Sequence, residues 1–136
     1  KYLSHQVPAS PMKPVDYMDK IDVFGYSWLR GYEGEVIDGY LVAELKKDEV
    51  GPLEILQVMK YVDWVCKEYT GGDYGLIKAY LVGFTIDVEA IREHKRDFER
   101  AFLTKRPPVN LVWNSLQFVE YRVCENGHVD FSLIEV

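Results

Sequence analysis

The hydrophobic positions along the chain fall into short alternating runs, which are typical of strands, and two longer segments with helical spacing. Residues 20–29 alternate between two faces, one of which carries Asp22, and residues 40–48 form a second such run. Alternation with a period of two predicts a strand, because successive side chains of a strand point to opposite faces. The glycine-rich residues 30–39 are expected to be an exposed connection, so the two strands are predicted to form an antiparallel hairpin.

The rest of the pattern predicts two helices and three further strands. A largely buried helix is expected from Pro52 to just before Gly71, because proline suits the first helical turn and glycine follows helix ends. Asp87 is expected to cap a second, heavily charged helix. The later segments are a strand at 76–86, the helix at 87–103, and strands at 109–123 and 129–136 joined by an Asn-Gly turn. This order predicts an α/β fold with a mixed β-sheet flanked by helices.

Length and composition indicate one domain with a single core. The chain has 136 residues, of which 48% are hydrophobic and 28% charged. Three prolines in residues 1–19 predict an extended N-terminal arm ahead of a domain at 20–136. Because the chain begins at Lys1 rather than Met, we expect a fragment or processed product, and an additional upstream domain stays open. No apolar run approaches the roughly 20 residues of a membrane helix, so no membrane partner is expected.

The two cysteines give no sign of a disulfide or a metal site. Cys66 lies in the first predicted helix and Cys124 in a predicted strand, without the close spacing of zinc ligands. Two buried thiols in a reducing compartment are therefore expected, and the predicted location is cytoplasmic.

The net charge of −6 argues against a dedicated nucleic-acid coat protein, which is normally basic. Residues 92–96, with Lys105 and Arg106, are the main basic concentration. A solvated helix face is the favoured interpretation of these residues, and a patch that contacts phosphates is the alternative. The negative balance is compatible with an enzyme whose carboxylates bind a divalent metal.

Charged residues interrupt the apolar run of the second strand. Glu44 and Lys46 share one face, and Leu41, Ala43 and Leu45 share the other, which is expected to face the core. Taken alone, the charged face could be the solvated side of an edge strand. The predicted core further includes Ile77, Tyr80 or its neighbours, Ile91 and Phe98.

Two neighbouring elements change that interpretation. The predicted hairpin can bring Asp22 beside Glu44. Gln57 and Tyr61, spaced i, i+4 on the next helix, share one face and present polar tips on a mostly apolar surface. The sequence thus predicts one polar cluster built from two strands and a helix.

An Asp on one strand, Glu-x-Lys on the next and Gln-x-x-x-Tyr on the following helix resemble the PD-(D/E)XK nuclease superfamily in its RecB-type variety. The stretches "KIDVFGY", "YLVAELKKD" and "QVMKYVDWV" are similar to the catalytic domain of NucS-type DNA endonucleases. The resemblance covers residues 20–86, whereas residues from 109 onward carry no matching motif. It implies a restriction-endonuclease-like core, DNA as partner, and hydrolysis of phosphodiester bonds by an endonuclease or exonuclease. It also implies that Gln57 and Tyr61 position the other groups of the site.

The resemblance assigns the remaining site residues by their place in the motif. The carboxylates of Asp22 and Glu44 and the main-chain carbonyl of Leu45 would bind Mg²⁺ or Mn²⁺, hard cations that take oxygen ligands. Lys46 would hold the attacking water or stabilise charge in the transition state. Asp22, Glu44 and Lys46 are therefore the predicted catalytic residues.

Two features depart from the family pattern. The gap between Asp22 and Glu44 is longer than usual, which makes Asp38 a competing acidic residue; Asp22 is preferred because Asp38 precedes a turn glycine. Family members also often carry an acidic residue on a helix before the first strand, where this chain has its proline-rich arm. The alternative function is a non-catalytic domain of the same fold that binds nucleic acid or a protein partner. Homodimer formation stays open.

Overall fold

The computed structural model describes residues 1–8, 20–31, 33–104 and 106–136. The strands are β1 (Tyr2–Pro8), β2 (Lys20–Gly31), β3 (Gly34–Leu45), β4 (Glu49–Val50), β5 (Ile77–Gly83), β6 (Thr85–Ile86), β7 (Arg100–Leu103), β8 (Asn110–Trp113), β9 (Leu116–Val123) and β10 (Val129–Ile134). The α-helices are α1 (Pro52–Val65) and α2 (Val88–Glu93); shorter helical turns span Cys66–Thr70, Tyr74–Leu76 and Lys95–Phe98.

Six strands form one mixed sheet in the order β1-β2-β3-β5-β9-β10. The first three pair antiparallel, β3, β5 and β9 run parallel, and β10 returns antiparallel to β9. Two small sheets, β4-β6 and β7-β8, lie outside it. The predicted α/β class, with a mixed sheet flanked by helices, is confirmed.

The β2–β3 hairpin is much longer than its sequence predicted. Residues 30–39 were expected to form an exposed connection, but β2 continues to Gly31 and β3 starts at Gly34. Gly34 has a φ of +131°, a conformation that favours glycine, so the chain can turn within a few residues. The prediction of a loop at 30–39 is therefore wrong: Gly31 pairs with Gly34 beside the turn, and Gly39 lies within β3. The long gap before Glu44 consists of the two arms of this hairpin.

Helix α1 begins at Pro52 as predicted, and the helical turn at Cys66–Thr70 continues it to the predicted end before Gly71. The Oε2 atom of Glu54 accepts a hydrogen bond from the backbone N–H of Gly51 at 2.9 Å, which satisfies a donor at the first turn. After the helical turn at Cys66–Thr70, Gly71 adopts a φ of +63° and ends the helix. The helix packs on β3 and β5. Its fully buried apolar residues include Ile55, Val58, Met59, Val62 and Val65.

The two faces of β3 are reversed relative to the prediction. Val42 is fully buried and Glu44 is only 2% exposed, whereas Leu45 is 52% exposed and Leu41 and Ala43 are half-buried. The prediction that Leu41, Ala43 and Leu45 face the core is wrong, because α1 packs on the face that carries Glu44. The charged residues predict that the face carrying Glu44 contacts solvent. In the structure, helix α1 covers the charged end of that face.

The other core predictions are confirmed. Ile77, Ile91 and Phe98 are buried. On β5, the neighbours of Tyr80 are buried rather than Tyr80 itself. Those neighbours, Ala79 and Leu81, are fully buried. Tyr80 itself is half-buried, since alternate residues of β5 face away from α1.

The second predicted helix, at 87–103, is shorter than expected. Asp87 caps α2 as predicted, with its Oδ1 accepting from the N–H of Ala90 at 3.1 Å. The helix stops at His94, whose φ of −106° is not helical, and residues 100–103 instead form strand β7. The predicted strand at 109–123 is divided into β8 and β9. The turn between β9 and β10 is confirmed, with Gly127 at a φ of +81°.

Three further predictions concern the ends and the cysteines. Within the predicted arm, residues 2–8 form β1, the edge strand of the six-stranded sheet, and residues 9–19 lie outside the described residues. Both cysteines are free, but only Cys66 is buried, because Cys124 lies at the turn that joins β9 to β10. No helix of the described residues is long and apolar enough to cross a membrane.

Candidate active site

Asp22 and Glu44 lie side by side where β2 and β3 begin to separate. The register pairs Val23 with Ala43, so the next pair along the hairpin is Asp22 and Glu44. The backbone N–H of Asp22 donates to Oε2 of Glu44 at 3.3 Å, and the N–H of Leu45 donates to Oδ2 of Asp22 at 2.9 Å. Each carboxylate thus accepts a hydrogen bond from the backbone of the opposite strand, which fixes both side chains.

Lys46 joins these carboxylates to helix α1. Its backbone N–H donates to the carbonyl of Val82 at 2.7 Å, which holds the residue beside β5. Its Nζ lies 3.6 Å from Oε1 of Glu44 and donates to Oε1 of Gln57 at 2.6 Å. The Nε2 of Gln57 in turn donates to the Tyr61 hydroxyl at 3.2 Å. The five residues predicted from the sequence therefore form one connected polar network, which Asp22 joins through backbone N–H groups.

Gln6 belongs to this network and was not predicted. Its Nε2 donates to Oδ1 of Asp22 at 3.1 Å, so both oxygens of that carboxylate are engaged. Gln6 has a φ of +54°, which is uncommon for a residue other than glycine and indicates local backbone strain. No sequence signal identifies it, because it lies in the N-terminal arm, sixteen positions before its partner.

Asp38, the competing acidic residue, lies elsewhere on the hairpin. Its Oδ1 accepts a hydrogen bond from the Ser27 hydroxyl at 2.7 Å. Six residues of extended strand, about 20 Å, separate it from Glu44. The structure therefore places Asp22, and not Asp38, beside Glu44.

The environment of Glu44 favours its protonated form. Burial, and then the negative charge of Asp22, raise the pKa of Glu44 to about 7. The hydrogen bond from the backbone of Asp22 and the charge of Lys46 oppose this shift only in part. Two carboxylates in a partly desolvated site repel each other, and a cation between them would remove that repulsion.

The donor set suits a hard divalent cation. Two adjacent carboxylates supply oxygen ligands, which Mg²⁺ and Mn²⁺ prefer. The carbonyl of Leu45 belongs to a residue whose N–H already contacts Asp22. No group of three His, Cys, Asp or Glu side chains that could hold a metal occurs in the described part of the chain. A cation here would thus depend on main-chain or water oxygens in addition to the two carboxylates.

The basic residues near the second helix do not join this site. Arg92, Lys95 and Arg96 are exposed, as expected for a solvated face, and Arg106 is exposed as well. Lys105 lies outside the described residues. Their possible contact with phosphates stays an untested alternative.

Comparison with known proteins finds a similar solved structure. The crystal structure of a repair endonuclease from Pyrococcus abyssi matches with a TM-score of 0.41 and 22% identity. The match covers 65% of this chain and 34% of that chain, so it spans about a third of the other protein. No family model matches the chain, and no curated protein matches it.

Proposed function

We propose that this chain is a metal-dependent nuclease domain of the PD-(D/E)XK type that hydrolyses phosphodiester bonds in DNA. The supporting observation is the connected network in which Asp22, Glu44, Lys46, Gln57 and Tyr61 meet. These residues come from two strands and a helix, and the contacts between them follow the order of the motif. A coincidental match of sequence letters would not be expected to bring all five together.

Asp22, Glu44 and the Leu45 carbonyl would hold Mg²⁺ or Mn²⁺. When bound, the metal would polarise a phosphate oxygen and lower the pKa of a bound water. The chain orients the two carboxylates through backbone N–H groups, so their positions do not depend on the metal. Gln6 restrains Asp22 from the opposite side.

Lys46 would place a positive charge beside the scissile phosphate. Its amine is 3.6 Å from the Glu44 carboxylate, which puts it next to the atoms where negative charge would develop. Gln57 fixes the direction of the amine, and Tyr61 fixes the amide of Gln57. We assign Gln57 and Tyr61 as positioning residues, because their contacts run through Lys46.

A cleavage assay on several DNA forms tests this proposal. Linear and circular duplex, single-stranded and flapped DNA would each be incubated with Mg²⁺, Mn²⁺ or EDTA; cutting of circles would identify an endonuclease. We expect metal-dependent cleavage by the wild type and its loss in Asp22→Asn. Asp38→Asn is the matched control, since it removes an acid from the same hairpin about 20 Å away. Equal loss in both variants, or cleavage by neither the variants nor the wild type, would overturn the proposal in favour of a non-cutting binding domain.

A further inference from the structure

Lys46 lies in a short segment between two strands, which we call the β3–β4 connection (residues 46–48). A segment of three residues has no strand ladder of its own, so its position depends on where its backbone hydrogen bonds go. The N–H of Lys46 donates to the carbonyl of Val82 at 2.7 Å. The carbonyl of Asp48 accepts a hydrogen bond from the N–H of Phe84 at 3.0 Å. The first and last residues of the connection are thus attached to β5 and to the residue that follows it.

The middle residue of the β3–β4 connection is held by a side chain from another strand. The hydroxyl of Tyr121, on β9, donates to the carbonyl of Lys47 at 2.8 Å. The register pairs Gly83, the last residue of β5, with Glu120. Tyr121 therefore lies just beyond the end of β5, where its side chain can reach across to the connection that follows β3.

The ring of Tyr121 is held in place by a second aromatic ring. It is half-buried and packs edge-on against Phe84, with ring centroids 5.8 Å apart and an angle of 69° between their planes. Phe84 is the residue whose N–H contacts Asp48, so both members of this ring pair are bonded to the β3–β4 connection. The packing of the two rings therefore fixes the direction in which the Tyr121 hydroxyl points.

We infer that Tyr121 is a positioning residue for Lys46 in the proposed nuclease site. A lysine side chain is long and flexible, so the place of its amine depends on how both of its ends are held. Gln57 holds the amine at 2.6 Å, and the Tyr121 hydroxyl holds the backbone through the neighbouring Lys47. This inference rests on the proposed nuclease function, and it gives a role in that site to β9, a strand outside the part of the chain that carries the motif.

Tyr121→Phe tests this role, because it removes the hydroxyl and keeps the ring against Phe84. Tyr74→Phe is the matched control: Tyr74 is also half-buried and donates a hydrogen bond of 2.8 Å, to Asp63, but it precedes β5 and lies at the opposite end of that strand. In single-turnover assays with saturating Mg²⁺, we expect Tyr121→Phe to cut about 10- to 100-fold more slowly than the wild type, as when a contact that orients a catalytic group is lost. Tyr74→Phe should cut at the wild-type rate, even if its melting temperature falls by more. Mn²⁺ should raise the melting temperature of all three proteins alike, since both substitutions leave the proposed metal ligands in place.

Amide hydrogen exchange in EDTA measures the anchoring of Lys46 without any cleavage. Tyr121→Phe should speed exchange of the Lys46 N–H by about 2- to 10-fold, the effect of one lost hydrogen bond nearby, and Tyr74→Phe should leave it unchanged. Full cleavage by Tyr121→Phe, an equal loss of cleavage in Tyr74→Phe, or unchanged exchange of the Lys46 N–H in Tyr121→Phe would overturn the inference and leave the proposed nuclease function standing. No cleavage by the wild type in Mg²⁺ or Mn²⁺ would instead contradict the proposed nuclease function, and this role of Tyr121 with it.

Discussion

At the residue scale, the raised pKa of Glu44 should be visible in the pH dependence of stability. Burial and the Asp22 charge raise its pKa to about 7 from an ordinary 4.5. Between these values the folded protein holds a proton that the unfolded chain releases, so the free energy of unfolding falls as pH rises. Melting curves in EDTA should therefore show a decline across this window that Glu44→Gln flattens. Asp38→Asn should keep the decline; an unchanged slope in Glu44→Gln would show that Glu44 is ionised in the metal-free fold.

The role of Lys46 in cleavage should be separable from metal binding. Its amine contacts Gln57 and Glu44, but it is not one of the proposed ligands. We expect Mn²⁺ to raise the melting temperature of wild type and of Lys46→Ala alike, as a ligand of the native state does. Cleavage should be lost in Lys46→Ala by about 100-fold or more. If Lys46→Ala abolished the Mn²⁺-induced stabilisation as well, the lysine would act in assembling the metal site rather than on the phosphate.

At the element scale, β3 is a strand whose charged end lies under a helix. Which face of β3 is buried can be tested by placing an asparagine at one position on each face. Val42→Asn would bury an unsatisfied amide and remove apolar contacts against α1, and should cost more than about 2 kcal/mol. Leu45→Asn, on a side chain that is 52% exposed, should cost less than about 1 kcal/mol. Urea denaturation compares the two variants; equal costs would contradict the observed orientation of the strand.

At the scale of the whole molecule, local patterns predicted the elements and the motif, and long-range packing decided the rest. The period-2 runs around Asp22 and Glu44 and the i, i+4 spacing of Gln57 and Tyr61 are local signals, so the cluster could be predicted. The orientation of Leu45 could not be predicted, because it depends on which face of the sheet α1 covers. Gln6 could not be predicted either, since its contact with Asp22 follows from the pairing of β1 with β2.

In the proposed function, Asp22 and Glu44 bind the metal with which this domain cuts DNA. The most direct measurement is the single-turnover cleavage rate, in saturating Mg²⁺, of wild type and Glu44→Gln on the DNA form that the wild type cuts fastest. Glu44→Gln keeps the size of the side chain and removes only its charge. We predict cleavage by the wild type that stops in EDTA and a rate at least about 100-fold lower in Glu44→Gln. Equal rates for the two proteins, or no cleavage by the wild type in Mg²⁺ or Mn²⁺, would contradict the proposed nuclease function.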